Sequence, residues 1–90
     1  MKTQASPQLL EKLKKLDVRI RKSFVERIKI FEENYQEPVL NNHALVREYE
    51  GYRSIDITNN YRALYEEVQS GTETIAYFSL LGTHKELFKT

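Results

Sequence analysis

An almost continuous apolar run from Thr72 to Leu81 is the feature that most constrains the fold of this 90-residue chain. The run is rich in aromatic and β-branched side chains, and a short segment of this kind is typical of a central strand buried on both faces. Gly82 is expected to end the strand. The fold is therefore expected to be built around a sheet that contains this segment.

Two further strands are predicted immediately before this run. Residues 52–58 alternate in strand-like fashion, and the Asn59-Asn60 pair that follows is a turn signal, because asparagine tolerates left-handed backbone angles. Residues 61–68 are predicted to form the return strand, and Ser70-Gly71 marks the next turn. The alternation places two sets of side chains on opposite faces of the first strand: Arg53, Ile55 and Ile57 on one, and Tyr52, Ser54 and Asp56 on the other.

The register of this hairpin has two alternatives. A turn of three residues, 58–60, would place Asp56 opposite Arg62 and allow their charges to pair. A turn of two residues, 59–60, would instead place Asp56 opposite Ala63, with Arg62 on the other face. The sequence alone does not choose between them.

The first third of the chain is predicted to form two amphipathic helices. Ser6-Pro7 is a start signal, since serine caps free amide groups and proline at the first helical position has no amide to leave unpaired. Asp17 is the expected cap of a second helix that runs to about Glu33. Both helices carry apolar residues at helical spacing: Leu9, Leu10, Leu13 and Leu16 in the first, and Val18, Ile20, Phe24, Val25, Ile28 and Phe31, but not Ile30, along one face of the second.

Together these patterns predict an α+β fold, with an N-terminal two-helix hairpin packed on one face of a small, mostly antiparallel twisted sheet. Residues 1–90 are expected to make a single domain, because a chain of this length supports one small core. Residues 2–5 allow a weak edge strand, although their polar side chains do not require it. Residues 84–88 are expected to form a short terminal helical turn.

The composition excludes several classes of function. A chain without cysteine has no disulfide, no thiolate metal site and no cysteine nucleophile. The sequence also contains no phosphate-binding loop, no nucleophile elbow and no clustered metal ligands. No apolar run is long enough to span a bilayer, and the N-terminus lacks the apolar centre of a signal peptide. A cytoplasmic protein with no metal, no cofactor and no membrane partner is expected.

The charge of the chain is unevenly distributed. The segment from Lys12 to Lys29 contains eight basic and two acidic residues, a local net charge of +6. The segment from Tyr35 to the end contains five basic and eight acidic residues, a net charge of −3. A basic segment of this kind suits a phosphate backbone, because cationic side chains release the counterions condensed there. A solvated helix face is the other interpretation, and the charge alone does not separate the two.

Four blocks of the sequence carry a resemblance to a known family. They are Leu-Asn-Asn-His-Ala-Leu at 40–45, Gly-Tyr-Arg-Ser-Ile at 51–55, Tyr-Arg-Ala-Leu-Tyr at 61–65 and Gly-Thr-His-Lys-Glu-Leu-Phe at 82–88. In their order and spacing these blocks resemble toxins of the RelE superfamily, most like the YafQ branch. The predicted helical hairpin precedes them, as it does in the family, so the likeness spans essentially the whole chain.

The resemblance implies a function as well as a fold. The family consists of toxins from type II toxin–antitoxin pairs, and its best-known members are endoribonucleases that cut mRNA in the decoding site of the ribosome, without a metal or cofactor. It therefore implies an mRNA interferase whose partners are a cognate antitoxin protein, the ribosome and mRNA. Contact with operator DNA would occur only through the antitoxin.

The resemblance also implies a set of catalytic residues. His84 and Phe88 match the histidine and the aromatic residue of the family's last block, and His43 matches the histidine of an earlier one. Arg62 occupies the position in the return strand where RelE carries a functional arginine. By this reading Arg62 binds the scissile phosphate, His84 is the main proton-transfer group with His43 as the second candidate, and Phe88 stacks a base.

Three positions depart from the YafQ pattern. Ser54 and Asn60 stand where YafQ-type toxins have aspartates, and Asp56 stands where they have a second histidine. Asp56 remains in the catalytic set in an orienting or structural role, because a carboxylate beside an arginine stays ionised and is a poor proton acceptor. Ser54 is expected among the substrate-binding residues, together with Tyr61 and Arg53, which adjoin the matched positions.

Two other functions are compatible with the same fold. A toxin of the ParE kind inhibits DNA gyrase through protein contacts and is not a nuclease, but His43, His84 and the terminal block favour the nuclease. A catalytically weakened toxin, acting mainly as an antitoxin partner and co-repressor, would account for the changes at Ser54, Asp56 and Asn60.

Overall fold

A mixed sheet of five strands, with three helices, makes up most of the chain in the computed structural model, which describes residues 1–89. In chain order the elements are β1 (Lys2–Ala5), α1 (Pro7–Lys14), α2 (Val18–Glu33), β2 (His43–Ala44), β3 (Arg53–Asp56), β4 (Tyr61–Ser70), β5 (Glu73–Thr83) and α3 (His84–Phe88). The strands lie in the order β1-β5-β4-β3-β2, with β1 parallel to β5 and the other pairs antiparallel. The predicted α+β architecture is confirmed. Within the same residues, no helix is long and apolar enough to cross a membrane.

β5 is the interior strand that the apolar run predicts, since it pairs with β4 along one edge and with β1 along the other. Two details differ from the prediction. The strand continues through Gly82, which lies opposite Arg62, and ends at Thr83. Only one face of β5 is fully covered: Phe78 is buried whereas Tyr77 is half-buried, because the core residues of α1 and α2 all pack on one side of the sheet.

The two N-terminal helices begin where the capping signals predict. Ser6 Oγ accepts a hydrogen bond from the amide of Leu9 at 3.1 Å, with Pro7 in the first turn of α1. Asp17 Oδ1 accepts a hydrogen bond from the amide of Arg19 at 2.7 Å, and α2 follows. Caps of this kind act on the backbone of their own turn, so the sequence is enough to place them.

The buried stripe of α2 is rotated from the predicted one. Phe24 and Phe31 are buried as expected, but Val18 and Val25 are 51% and 49% exposed. Ile30, which the helical wheel leaves outside the apolar arc, packs against the core instead. The sheet contacts α2 along a line centred on the two phenylalanines, so the valines at one margin of the arc stay in solvent and the opposite margin is covered.

Three aromatic rings join α2 to the sheet. The ring of Phe31 meets those of Tyr65 and Phe78 edge-on, with centroids 5.1 and 5.4 Å apart, and the Tyr65 and Phe78 centroids are 4.9 Å apart. Tilted and edge-to-face contacts of this kind add to the free energy gained by burying the rings. This cluster holds the helical layer on the β4–β5 hairpin.

The turn between β3 and β4 has the three-residue form, so the first of the two register alternatives is realised. Asp56 lies opposite Arg62, and the amide of Ile57 donates to the carbonyl of Tyr61 at 2.9 Å. Thr58 Oγ1 accepts a hydrogen bond from the amide of Tyr61 at 3.0 Å, which stabilises the longer turn. The charges of the aspartate and the arginine are thereby brought together.

A bulge in β5 keeps the core continuous. Tyr65 lies opposite Phe78, whereas the residue before Tyr65 lies opposite Leu80, so Ser79 is an extra residue on β5. Phe78 and Leu81 are three positions apart, yet both belong to the core. In a regular strand they would face opposite sides of the sheet, and the bulge removes this conflict.

We expect Phe31→Ala to destabilise the fold by about 3–5 kcal/mol, because it removes the ring that contacts both Tyr65 and Phe78. The measurement is the free energy of unfolding in urea. Val25→Ala, on the exposed side of the same helix, is the control and should change this free energy by less than about 0.5 kcal/mol. Equal losses in the two variants would contradict the assigned buried face.

Candidate active site

A cleft of about 350 Å³ opens on the face of the sheet that the helical hairpin leaves uncovered. Ser54 and Arg62 alternate along their strands with the core residues Ile55 and Ala63, so their side chains point away from the helices. Five side chains predicted from the sequence line this cleft, together with Asn41 and Leu45: His43, Ser54, Arg62, His84 and Phe88.

Arg62 is held rigidly at the edge of the cleft. Its Nη1 donates to the carbonyl oxygens of Thr58, Asn59 and Tyr61 at 2.9–3.1 Å. Its Nε lies 3.0 Å from Asp56 Oδ1, and the two side chains are only 17% and 24% exposed. The contact is an ion pair without the alignment of a hydrogen bond, since Asp56 Oδ1 has no hydrogen-bond partner within residues 1–89. Such an anchored guanidinium is preorganised to meet an anion.

His84 and Phe88 enter the cleft from α3. Thr83 caps this helix: its Oγ1 accepts from the amide of Glu86 at 3.1 Å, and Glu86 Oε1 accepts from the amide of Thr83 at 2.8 Å. The amide of His84 donates to the carbonyl of Asn60 at 3.0 Å, which ties the helix to the β3–β4 turn. The rings of His84 and Phe88 lie with their centroids 4.8 Å apart. Their separation is thus set by one helical turn.

His43 reaches the cleft from the opposite side, on the two-residue strand β2, where it lies opposite Ser54. Its Nδ1 is 2.7 Å from the carbonyl oxygen of Asn41. A carbonyl oxygen only accepts, so this contact assigns the proton of the neutral ring to Nδ1 and leaves Nε2 as an acceptor. The buried hydroxyl of Ser54 forms the floor and has no hydrogen-bond partner in the described part of the chain.

The structure does not bring Arg53 or Tyr61 to the cleft, and Asp56 reaches it only through Arg62. Arg53 Nε donates to Asn42 Oδ1 at 3.0 Å in a separate depression, and Tyr61 packs against the core. Side chains alternate along a strand. Arg53 and Tyr61 directly precede Ser54 and Arg62, which face the cleft, so their own side chains point to the other face of the sheet. Their place beside the substrate is therefore not supported by their position in the fold.

Two residues that line the cleft were missed by the sequence reasoning. Asn41 and Leu45 flank His43 in the first matched block, which was the available signal. Asn41 also adopts a left-handed conformation, with φ of 48°, which asparagine accommodates better than most residues. It shapes the loop that carries His43.

Among solved structures, a YoeB/ParE toxin from Agrobacterium tumefaciens superposes with a TM-score of 0.70 at 21% identity, over 93% of this chain and 99% of that one. YafQ from E. coli strain BL21(DE3) superposes with a TM-score of 0.63 at 20% identity, over 96% of each chain. For the YoeB–YefM complex from Staphylococcus aureus the values are 0.70 and 20%, over 93% and 97%. The chain has the fold of the YoeB and YafQ toxins. The RelE-like fold expected from the four sequence blocks is confirmed.

No protein-family model matches the sequence, and no curated protein matches it either. The likeness to the toxins is therefore one of fold, at about one identical residue in five.

The cap of α3 should depend on pH. The hydrogen bond from the Thr83 amide, and then the charge of Lys12 at 3.6 Å, lower the pKa of Glu86 below its usual 4.5. Because the folded pKa is the lower one, the ionised carboxylate stabilises α3 above pH 4.5, and this stabilisation is lost as the pH falls through the folded value. We expect the NMR shift of the Thr83 amide to titrate below pH 4.5.

Glu86→Gln is the control for this titration, since glutamine cannot ionise but keeps an oxygen for the Thr83 amide. The titration should disappear in that variant. An unchanged profile would show that the capping box does not depend on the carboxylate.

Proposed function

We propose that this protein is the toxin of a type II toxin–antitoxin pair and an endoribonuclease that cuts ribosome-bound mRNA without a metal ion. The observation that carries the proposal is the convergence of His43, Arg62 and His84 on one cleft. These residues come from three separate elements, β2, β4 and α3. Two imidazoles around one anchored guanidinium are the groups that RNA transesterification needs.

The reaction needs two proton transfers and one charge to be stabilised. A base removes the proton of the 2′-hydroxyl, and that oxygen attacks the adjacent phosphorus. The bond to the 5′-oxygen breaks, an acid protonates the leaving oxygen, and the products are a 2′,3′-cyclic phosphate and a free 5′-hydroxyl. Imidazole serves as base or acid near neutral pH, and a guanidinium stabilises the equatorial oxygens of the transition state.

The hydrogen bond of His43 to Asn41 suits the base, because it leaves Nε2 as the acceptor on the ring. His84, at the opposite wall of the cleft, is then the acid and the main proton-transfer group. Arg62 binds the phosphate with the donors that its turn leaves unused, chiefly Nη2. Asp56 orients that guanidinium through their ion pair.

Phe88 completes the site as a stacking platform for a nucleobase of the RNA. Its ring is half-buried and lies next to His84 in the wall of the cleft. Stacking of an unpaired base on such a ring is worth roughly 1–3 kcal/mol. A nucleobase stacked there would bring the phosphate of the same nucleotide towards His84.

The partners follow from the same proposal. The solved YoeB–YefM and DinJ–YafQ complexes each hold a toxin of this fold with a second protein. By extension this chain has a cognate antitoxin, through which alone it contacts operator DNA, and it acts in the cytoplasm. The exposed side of α2 carries Arg21, Lys22 and Lys29 against one acid, Glu26, and this excess of positive charge is of the kind that ribosomal RNA attracts.

We expect His84→Ala and Arg62→Ala each to reduce mRNA cleavage by about 10²–10⁴-fold, because each removes a group that acts in the transition state. The measurement is the mapping of mRNA 5′ ends after induction, alongside growth inhibition. Lys85→Ala is the matched control, since its exposed side chain adjoins His84 but does not line the cleft.

Cleavage by His84→Ala at the rate of the unaltered protein would contradict the proposal. Inhibition of DNA supercoiling in place of mRNA cleavage would assign the chain to the gyrase-inhibiting toxins instead. Absence of both activities in the unaltered protein would point to the weakened toxin that acts as a co-repressor.

A further inference from the structure

α3 carries two of the proposed site residues but is too short to be stable alone. It has five residues, and isolated helices of this length do not form in water. Its N-terminal end is secured by the capping box of Thr83 and Glu86. Its C-terminal end needs partners for carbonyl oxygens that no later turn of helix can satisfy.

Tyr49 supplies such a partner from a distant loop. Its hydroxyl donates to the carbonyl oxygen of Leu87 at 2.6 Å, a short hydrogen bond between residues 38 positions apart. Its ring also meets Phe88 edge-on, with centroids 5.6 Å apart and planes at 84°. One half-buried side chain therefore contacts both the backbone and an aromatic residue of the last turn.

The ring contacts continue to the proposed acid. Tyr52 meets Tyr49 edge-on at 6.1 Å, and Phe88 in turn lies 4.8 Å from the imidazole of His84. Edge-to-face pairs have defined geometries, so each ring restricts the orientation of the next. These four rings form a row that runs from the loop after β2 to the rim of the cleft.

The loop itself is held in a conformation that directs Tyr49 inwards. Arg47 has a left-handed backbone, with φ of 60°, which costs energy for a residue other than glycine. Two hydrogen bonds of Tyr52 close the loop: its amide donates to the carbonyl of Tyr49 at 2.9 Å, and its carbonyl accepts from the amide of Leu45 at 2.9 Å. Strained backbone persists where surrounding contacts over-determine it, often beside a functional site.

We infer that Tyr49 is a positioning residue for the proposed reaction: its hydroxyl and ring fix the last turn of α3, so that His84 and Phe88 keep their places in the cleft. The inference rests on the proposed function for its kinetic consequence. Tyr49 itself does not line the cleft. Loss of its hydroxyl alone, with the ring contact to Phe88 kept, should therefore affect the geometry of proton transfer at His84 and leave substrate binding at Phe88 largely intact.

The test is Tyr49→Phe, which keeps the ring contacts and removes only the hydrogen bond to Leu87. Tyr52→Phe is the matched control, since it removes a neighbouring tyrosine hydroxyl and keeps the ring that contacts Tyr49. The measurements are kcat and KM for cleavage of mRNA on purified ribosomes, the NMR signal of the His84 ring, and the urea midpoint of unfolding.

For Tyr49→Phe we expect kcat to fall roughly ten- to a hundredfold with KM changed less than about twofold. The His84 ring signal should shift, because the helical turn between His84 and Phe88 loses its hydrogen bond from Tyr49 to Leu87. Tyr52→Phe should leave both kcat and this signal unchanged. Combining Tyr49→Phe with Phe88→Leu should cost less than the product of the two separate losses, because both act through the same turn.

A Tyr49→Phe protein with an unaltered kcat and an unaltered His84 signal would overturn the inference. So would equal losses in Tyr49→Phe and Tyr52→Phe, or a fall in kcat that only follows a lowered unfolding midpoint. If the unaltered protein does not cleave mRNA, the proposed function fails, but the His84 signal still decides whether Tyr49 holds α3.

Discussion

The antiparallel pairing of β4 with β5 fixes the position of nearly every other part of the molecule. It extends from Tyr61 opposite Thr83 to Ser70 opposite Glu73, and a tight turn closes it. β3 adds to one edge of the hairpin, β1 adds to the other, and α2 packs its aromatic rings on the covered face. Because α3 starts at the residue after β5, the register of this pairing also sets where His84 lies relative to Arg62.

The two faces of the hairpin differ in chemistry because side chains alternate along a strand. Ala63 and Leu81 are buried under the helices, whereas Arg62 points into the cleft. A slip of one residue in register would exchange the faces, placing a charge in the core and apolar groups in the cleft. The burial that stabilises the fold and the geometry of the candidate site are therefore determined by the same hydrogen-bond ladder, with the bulge at Ser79 as its one irregularity along this pairing.

The candidate site combines one rigid cation with two imidazoles on short elements. Arg62 is anchored by its own turn and by Asp56, so little reorganisation is needed when an anion arrives. His43 lies on a strand of two residues and His84 on a helix of five. Neither element is stable by itself, so the contacts with Asn41 for the first and Tyr49 for the second matter to the geometry of the cleft.

The sequence determined the features that depend on neighbouring residues. Caps at Ser6 and Asp17 placed both helices, and the apolar run placed β5, because these signals act within a turn or along one strand. The resemblance supplied His43, Arg62 and His84 as candidates, but only the tertiary structure showed that they share a cleft and that Arg53 and Tyr61 do not. The turn register, the buried side of α2 and the contacts of Tyr49 were also decided only by the tertiary structure. Each depends on contacts between residues distant in sequence, whose energies no local pattern encodes.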